Sequence, residues 1–281
     1  MRVAGMLALV LLTAACATAS PAPRIDERDA AVVPEEAGVP GVPAAPPPLD
    51  AGEVSWTSEY FQPGAVGQAT PIPRKDAPAL RYASLGRSAC EAELVRRKIP
   101  FARAESTRGV RAPVRLAGPL HGVTIHSELT ETKRVRSPFE IFDCRLVLAL
   151  DDFTEVVAQN DVVEILHMSA FRSRKQRGCT SKFANKQHCG ALAVDVGTFV
   201  KKDGTRLVVD RDFNGKIGQG TCISNAKPSP VTPEAEELWG YVCESARRAL
   251  FNVVLTPNFN ADHKNHFHLE VTPDAGWMLI H

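Results

Sequence analysis

Ordered patterns of apolar and polar positions begin only near Leu80. Ser88-Ala89-Cys90-Glu91 has the form of a capping box and predicts a helix running to about Lys98, stopped before Pro100. Short runs at 114–116 and 123–126 predict strands, and 162–169 (VVEILHMS) predicts a longer one. Residues 140–158 (EIFDCRLVLALDDFTEVVA) are apolar-rich and of helical length. Thr232-Pro233, followed by Glu234, Glu236 and Glu237, is a helix start with Pro at the first helical position and acids in the first turn. Leu238, Val242, Ala246 and Ala249 then repeat on one face to about Leu250. Further strands are expected at 191–200, 205–210, 252–255 and 266–271, which makes the fold class α+β.

The first 79 residues are a different polymer. Residues 6–12 are apolar behind Arg2 and far too short to span a membrane. They read as the core of a secretory signal peptide. Leu12-Thr13-Ala14-Ala15-Cys16 resembles a bacterial lipobox, which makes 1–16 a signal peptide and Cys16 the lipidated first residue of the mature chain. The expected location is outside the cytoplasm, lipid-anchored to the membrane through Cys16. Ala17, rather than Asp, directs such a protein to the outer membrane, facing the periplasm. Residues 17–79 read as a Pro/Ala-rich linker; 21–48 alone hold eight of the chain's 21 prolines. The remaining domain, 80–281, is long enough to bury a sizeable core.

Charge narrows the partners. Lys and Arg number 33 against 32 Asp and Glu, a formal charge of +1, so no basic surplus marks a nucleic-acid footprint. The domain holds an even set of six cysteines: Cys90, Cys144, Cys179, Cys189, Cys222 and Cys243. In an exported chain, disulfides are the default, and no C-x-x-C pair suggests a cysteine metal site. Cys90 and Cys144 each fall on or at the start of an expected helix and are expected to pair. Cys179 with Cys189, and Cys222 with Cys243, follow from proximity along the chain.

The chemistry concentrates near the C-terminus. In Asp262-His263-Lys264-Asn265-His266-Phe267-His268-Leu269-Glu270-Val271, strand alternation puts His266, His268 and Glu270 on one face. Phe267, Leu269 and Val271 fall on the other. Upstream, a strand over 191–199 would place Ala191, Ala193, Asp195 and Gly197 on one face, three of them very small, with His188 in the polar loop before it. Two histidines and a carboxylate suit Zn²⁺ and leave its fourth position open, the pattern of a catalytic rather than a structural site.

His188-x6-Asp195 with a distant His266-x-His268 resembles the zinc peptidases of the D-Ala-D-Ala carboxypeptidase and murein endopeptidase superfamily. More narrowly, the stretch 195–204 (DVGTFVKKDG), residues 254–260 (VLTPNFN) and His263-x-x-His266-Phe267-His268-Leu269 resemble the bacterial extensin-like C-terminal domain. The resemblance implies a zinc D,D-peptidase-like fold, an antiparallel sheet carrying the zinc site and packed with helices. It implies His188, Asp195 and His268 as zinc ligands and His266 as the general base. Ser169-Ala170-Phe171-Arg172 resembles the segment that carries a substrate-contacting Arg, which makes Arg172 a candidate to steady an oxyanion or a substrate carboxylate. His263 is a candidate outer partner of the site. Arg174, Lys175 and Arg177 could attract acidic wall components; His121, His126, His167 and His281 match no motif.

Three positions depart from the superfamily pattern. Lys186 stands where Ser is usual and Ala191 where Gly is usual, both in the loop that shapes the cleft. Asn265 replaces the Glu of the carboxypeptidase branch and tilts the reading towards the endopeptidase-like branch, where a His is the base. The expected function is zinc-dependent hydrolysis of peptide or amide bonds in peptidoglycan. The alternative is a non-catalytic wall-binding or structural lipoprotein that keeps the fold.

Overall fold

The computed structural model describes residues 70–71, 75–173, 179, 186–223 and 225–281. The signal peptide with Cys16, nearly all of the linker, and Arg174, Lys175 and Arg177 lie outside the described residues. The elements run β1 (Thr70–Pro71), α1 (Pro78–Ser84), α2 (Arg87–Arg96), β2 (Phe101–Arg103), β3 (Pro113–Leu116) and β4 (Thr124–Ser127). Then come α3 (Glu131–Arg134), β5 (Phe142–Asp143), α4 (Cys144–Ala158), β6 (Val162–Ser169), β7 (Ala193–Lys201), β8 (Arg206–Val208) and α5 (Val209–Asp212). The chain closes with α6 (Pro233–Arg247), β9 (Val253–Leu255), β10 (Phe267–Glu270) and β11 (Trp277–Ile280). None of these helices is long and apolar enough to cross a membrane.

The main sheet has the order β1-β11-β9-β10-β7-β6-β4, with β8 pairing β7; β2, β3 and β5 form a small second sheet. It is mixed rather than antiparallel throughout. β4 runs parallel to β6, and β9 parallel to β11. A parallel pair needs a long connection, and the one from β4 to β6 contains α4. The fold also starts before residue 80: β1 pairs with β11, α1 begins at Pro78, and Ala77 and Ala79 are buried.

Helix α4 is the centre of the core. Every residue from Cys144 to Asp151 is buried, as expected of a helix surrounded by other elements. It starts later than the apolar pattern suggests, because Phe142–Asp143 pairs with β3 and the Asp143 side chain then accepts from Arg145 N as the N-cap. Helix α6 begins as expected, with Thr232 Oγ1 accepting from Ala235 N. The capping box at Ser88 is not formed: α2 starts at Arg87 behind Gly86, without a side-chain cap.

One face of the sheet packs on these helices. Phe199 of β7 meets Phe153 of α4 at 6.2 Å and Tyr241 of α6 at 5.0 Å between ring centroids. Strict alternation along β7 would send Phe199 to the face opposite Val194 and Val196, yet all three belong to the core. Against β6 the register jumps from Thr198↔Leu166 to Val196↔His167, leaving Gly197 as an extra residue. A bulge of this kind re-aims the side chains around it. Disulfides join Cys90 to Cys144, Cys179 to Cys189 and Cys222 to Cys243.

Candidate metal centre

The other face of the sheet carries the polar cluster. Asp195 on β7 stands directly across from His268 on β10. On β10 the apolar alternates Phe267 and Leu269 turn into the core, fully buried, so His268 and Glu270 face a cleft of about 710 Å³. His188 comes from the short 3-10 turn Gln187–Gly190 ahead of β7, closed by Ala191 in a left-handed conformation (φ 53°). Arg172 N donates to His188 O at 2.9 Å, which ties this turn to the end of β6. The Cys179–Cys189 bridge anchors the same turn.

Asp195 is the hub. Its Oδ1 lies 3.0 Å from His188 Nε2, 3.1 Å from His268 Nδ1 and 3.4 Å from His266 Nε2. Its Oδ2 accepts from Ser169 Oγ at 3.1 Å and from Arg172 Nη2. Each imidazole uses its remaining nitrogen elsewhere. His188 Nδ1 donates to Ala170 O at 2.8 Å, His268 Nε2 meets Glu270 Oε2 at 3.2 Å, and His266 Nδ1 donates to Asn265 Oδ1 at 2.9 Å. The outer hydrogen bond fixes which nitrogen is free for the centre.

The protonation states follow from burial and these contacts. Burial opposes charge on Asp195, but His188 and His268 hold its carboxyl well below the usual range. Burial pushes His188 and His266 below the ordinary imidazole value. It works against charge on His268 as well, yet hydrogen bonds to Asp195 and Glu270 raise that ring to about 9. His263 is lowered to about 4 by burial and by the neighbouring His268 and His266.

His188, Asp195 and His268 each offer one ligand atom, and these atoms lie within 4.8 Å of one another. Two imidazole nitrogens and a carboxylate oxygen fit a zinc ion. His266 reaches the same oxygen and lines the same cleft without belonging to that trio. Arg172 enters the site too, with Nε donating to Ser169 Oγ at 3.0 Å, but here its guanidinium engages the Asp195 carboxylate. His263 makes its ring hydrogen bond to Asn260 Oδ1 at 2.8 Å. It packs on His266 and His268 with centroids 5.2 and 5.8 Å away.

Two residues that the sequence pattern names without a role take part in the site. Ser169 bridges Arg172 and Asp195, although it opens the quoted Ser-x-Phe-Arg segment. Glu270 backs His268, and its strand position two residues further on was the available signal. His121, His126, His167 and His281 are not among the residues lining the cleft.

The sequence pattern of the family described as extensin-like protein C-terminus matches residues 88–280. The chain belongs to this family. The extensin-like domain thus takes in every element from α2 to the last strand, with the whole polar cluster and all three disulfides. No curated protein and no solved structure matches the chain.

Proposed function

We propose that this extensin-like protein is a zinc-dependent hydrolase of peptide or amide bonds in bacterial peptidoglycan. The observation that carries the reading is the convergence of His188, His268 and His266 on one oxygen of Asp195, each ring with its other nitrogen engaged outside the centre. His188, Asp195 and His268 would hold the ion. When bound, zinc supplies a water acidified to near neutral pH and a polarised carbonyl.

The chain's own residues do the rest. His266, kept neutral by burial and with its Nδ1–H fixed on Asn265, takes a proton at Nε2 and returns it to the leaving amine. Ser169 and Arg172 hold the outer oxygen of Asp195. From there the guanidinium, about one third exposed, can offer a remaining donor to a substrate carboxylate or developing oxyanion. The lipobox-like start of the chain and three disulfides support an exported protein, lipid-anchored at the outer membrane and facing the periplasm and its wall.

One observation favours a second reading, a non-hydrolytic wall-binding lipoprotein. Lys186 lines the cleft two residues before His188, in place of the Ser of the peptidase pattern. Incubating the zinc-loaded full chain with cross-linked peptidoglycan and profiling released muropeptides separates the two. The hydrolase produces new termini, and a chelator present from the start prevents their formation; the binding protein leaves the profile unchanged.

A further inference from the structure

We infer that the sheet face beside the metal centre is a substrate subsite for an uncharged aliphatic side chain, formed by Leu255, Val253, Leu279 and Trp277. This rests on the hydrolase reading and adds a specificity to it. The strands β7, β10, β9 and β11 are consecutive neighbours. Across them Asp195 stands opposite His268 and His268 opposite Leu255; Glu270 stands opposite Val253 and Val253 opposite Leu279. Trp277 lies two residues before Leu279 and so shares its face. All four side chains line the same cleft as Asp195 and His268.

Adjacent strands are about 4.8 Å apart, so the apolar wall begins one strand spacing, about 5 Å, from His268 and ends about 14 Å from Asp195. A group bound at the centre therefore extends over it. The alternates Val254 and Met278 turn the other way, into core clusters. A sheet face open to water would alternate with polar residues; here β9 is apolar on both faces. Apart from Asp195 and Glu270, the charged carboxylates and cations lining the cleft are Arg172, Lys186 and Asp262, all on loops or turns. Glu270 is engaged through both oxygens, by His268 and by Thr272. Val253 and Leu255 are almost fully buried while Leu279 and Trp277 are partly exposed, so the wall offers an apolar group its area mainly at Leu279 and Trp277 and no partner for a charge, the makeup of a ligand pocket with its polar groups to one side.

The test uses the zinc-loaded full chain carrying His266→Ala, so that bound peptide is not cleaved. The probes are acetyl-Ala-Ala-amide and acetyl-Ala-Leu-amide against acetyl-Ala-Lys-amide and acetyl-Ala-Asp-amide, with the second residue in L and D forms. Calorimetry should give the apolar peptides affinities about 10-fold or more higher. Their binding should change tryptophan fluorescence, and Trp277→Phe should remove that change. Leu279→Asp, at a partly exposed position, and Trp277→Lys, at one 37% exposed, should each erase the preference while zinc content stays unchanged. Equal binding of charged and apolar peptides, failure of every apolar peptide to bind, or a preference surviving both substitutions overturns the subsite. Absence of peptidoglycan hydrolysis by the wild type overturns the hydrolase reading instead, and discrimination among the peptides would still support the subsite.

Discussion

Glu270 Oε2 lies 3.2 Å from His268 Nε2, while Nδ1 of the same ring stands 3.1 Å from Asp195. The ring is clamped between two carboxylates, and Thr272 Oγ1 steadies the outer one at 2.8 Å. The clamp presents Nδ1 to the candidate metal centre. Loss of such an outer partner typically lowers metal affinity about 10–100-fold. Glu270→Leu is expected to weaken zinc binding by that factor, and Glu270→Gln, which keeps an acceptor, by less. Competition titration against a chromophoric chelator measures this; unchanged affinity in both variants would remove Glu270 from the metal's surroundings.

The Asp143–Arg145 pair ties the small sheet to α4 and is almost fully buried. Asp143 receives Arg145 Nε at 2.8 Å and Nη2 at 3.1 Å, and also the backbone N–H groups of Ala112 and Arg145. Removing one partner of a buried pair costs about 3–5 kcal/mol. Asp143→Ala should lose that much in urea unfolding, because it strands the guanidinium and removes a helix cap together. Arg145→Ala should lose less, since the carboxylate keeps two backbone donors.

The three disulfides should separate stability from site geometry. The Cys90–Cys144 bridge spans 54 residues and Cys179–Cys189 only 10, so loop entropy predicts contributions of about 4 and 3 kcal/mol. The shorter bridge, however, holds the turn that carries His188. Replacing Cys90 and Cys144 by Ala should lower the melting temperature most while leaving zinc affinity intact. Replacing Cys179 and Cys189 should weaken zinc. Zinc affinity equal to wild type in the second variant would contradict this division.

A carboxylate far from the site sets an acid response. Arg96 donates to Glu93 through Nε and Nη2 at 2.6 Å each, and Arg97 Nε at 2.9 Å. The Arg96 hydrogen bonds, opposed by burial and assisted by Arg97, lower the Glu93 carboxyl from 4.5 to about 2. A depressed carboxyl stabilises the fold above its unfolded value, and the contribution fades as pH falls from 4.5 through about 2. The stability difference between wild type and Glu93→Gln should therefore be level from pH 7 to about 5 and vanish near pH 2. Melting curves across this range would show it; a difference that grows on acidification would contradict the sign.

The part of the site that lies on strands was readable in advance because strand alternation is a local rule. Phe267 and Leu269 mark the buried face of β10, and His268 and Glu270 follow by default. The long-range pairings were not readable. Nothing local tells β9 to run parallel to β11, or β4 to β6. β11 itself was not anticipated, since Trp277–Ile280 is a short run held by partners at both its edges. Phe142–Asp143 was absorbed into the expected helix because its apolar content is the same in either state; only the pairing with β3 distinguishes them. Ser88 illustrates the opposite error, a local motif overruled because the chain enters α2 two residues earlier, with Gly86 rather than Ser88 at the cap. That Arg172 engages Asp195 follows from the pairing of β6 with β7, which sets Ser169 opposite Asp195 and which residue spacing does not encode.

The most direct measurement is zinc content beside muropeptide release for His266→Ala and His268→Ala in the full chain. His268 offers a ligand atom to the trio with His188 and Asp195, whereas His266 lies 3.4 Å from the shared oxygen and outside the trio. His266→Ala is expected to keep its zinc and lose turnover of cross-linked peptidoglycan by about 10²–10⁴-fold; His268→Ala is expected to lose both. Wild-type turnover in His266→Ala, or a wild type that holds zinc and releases nothing, would contradict the account.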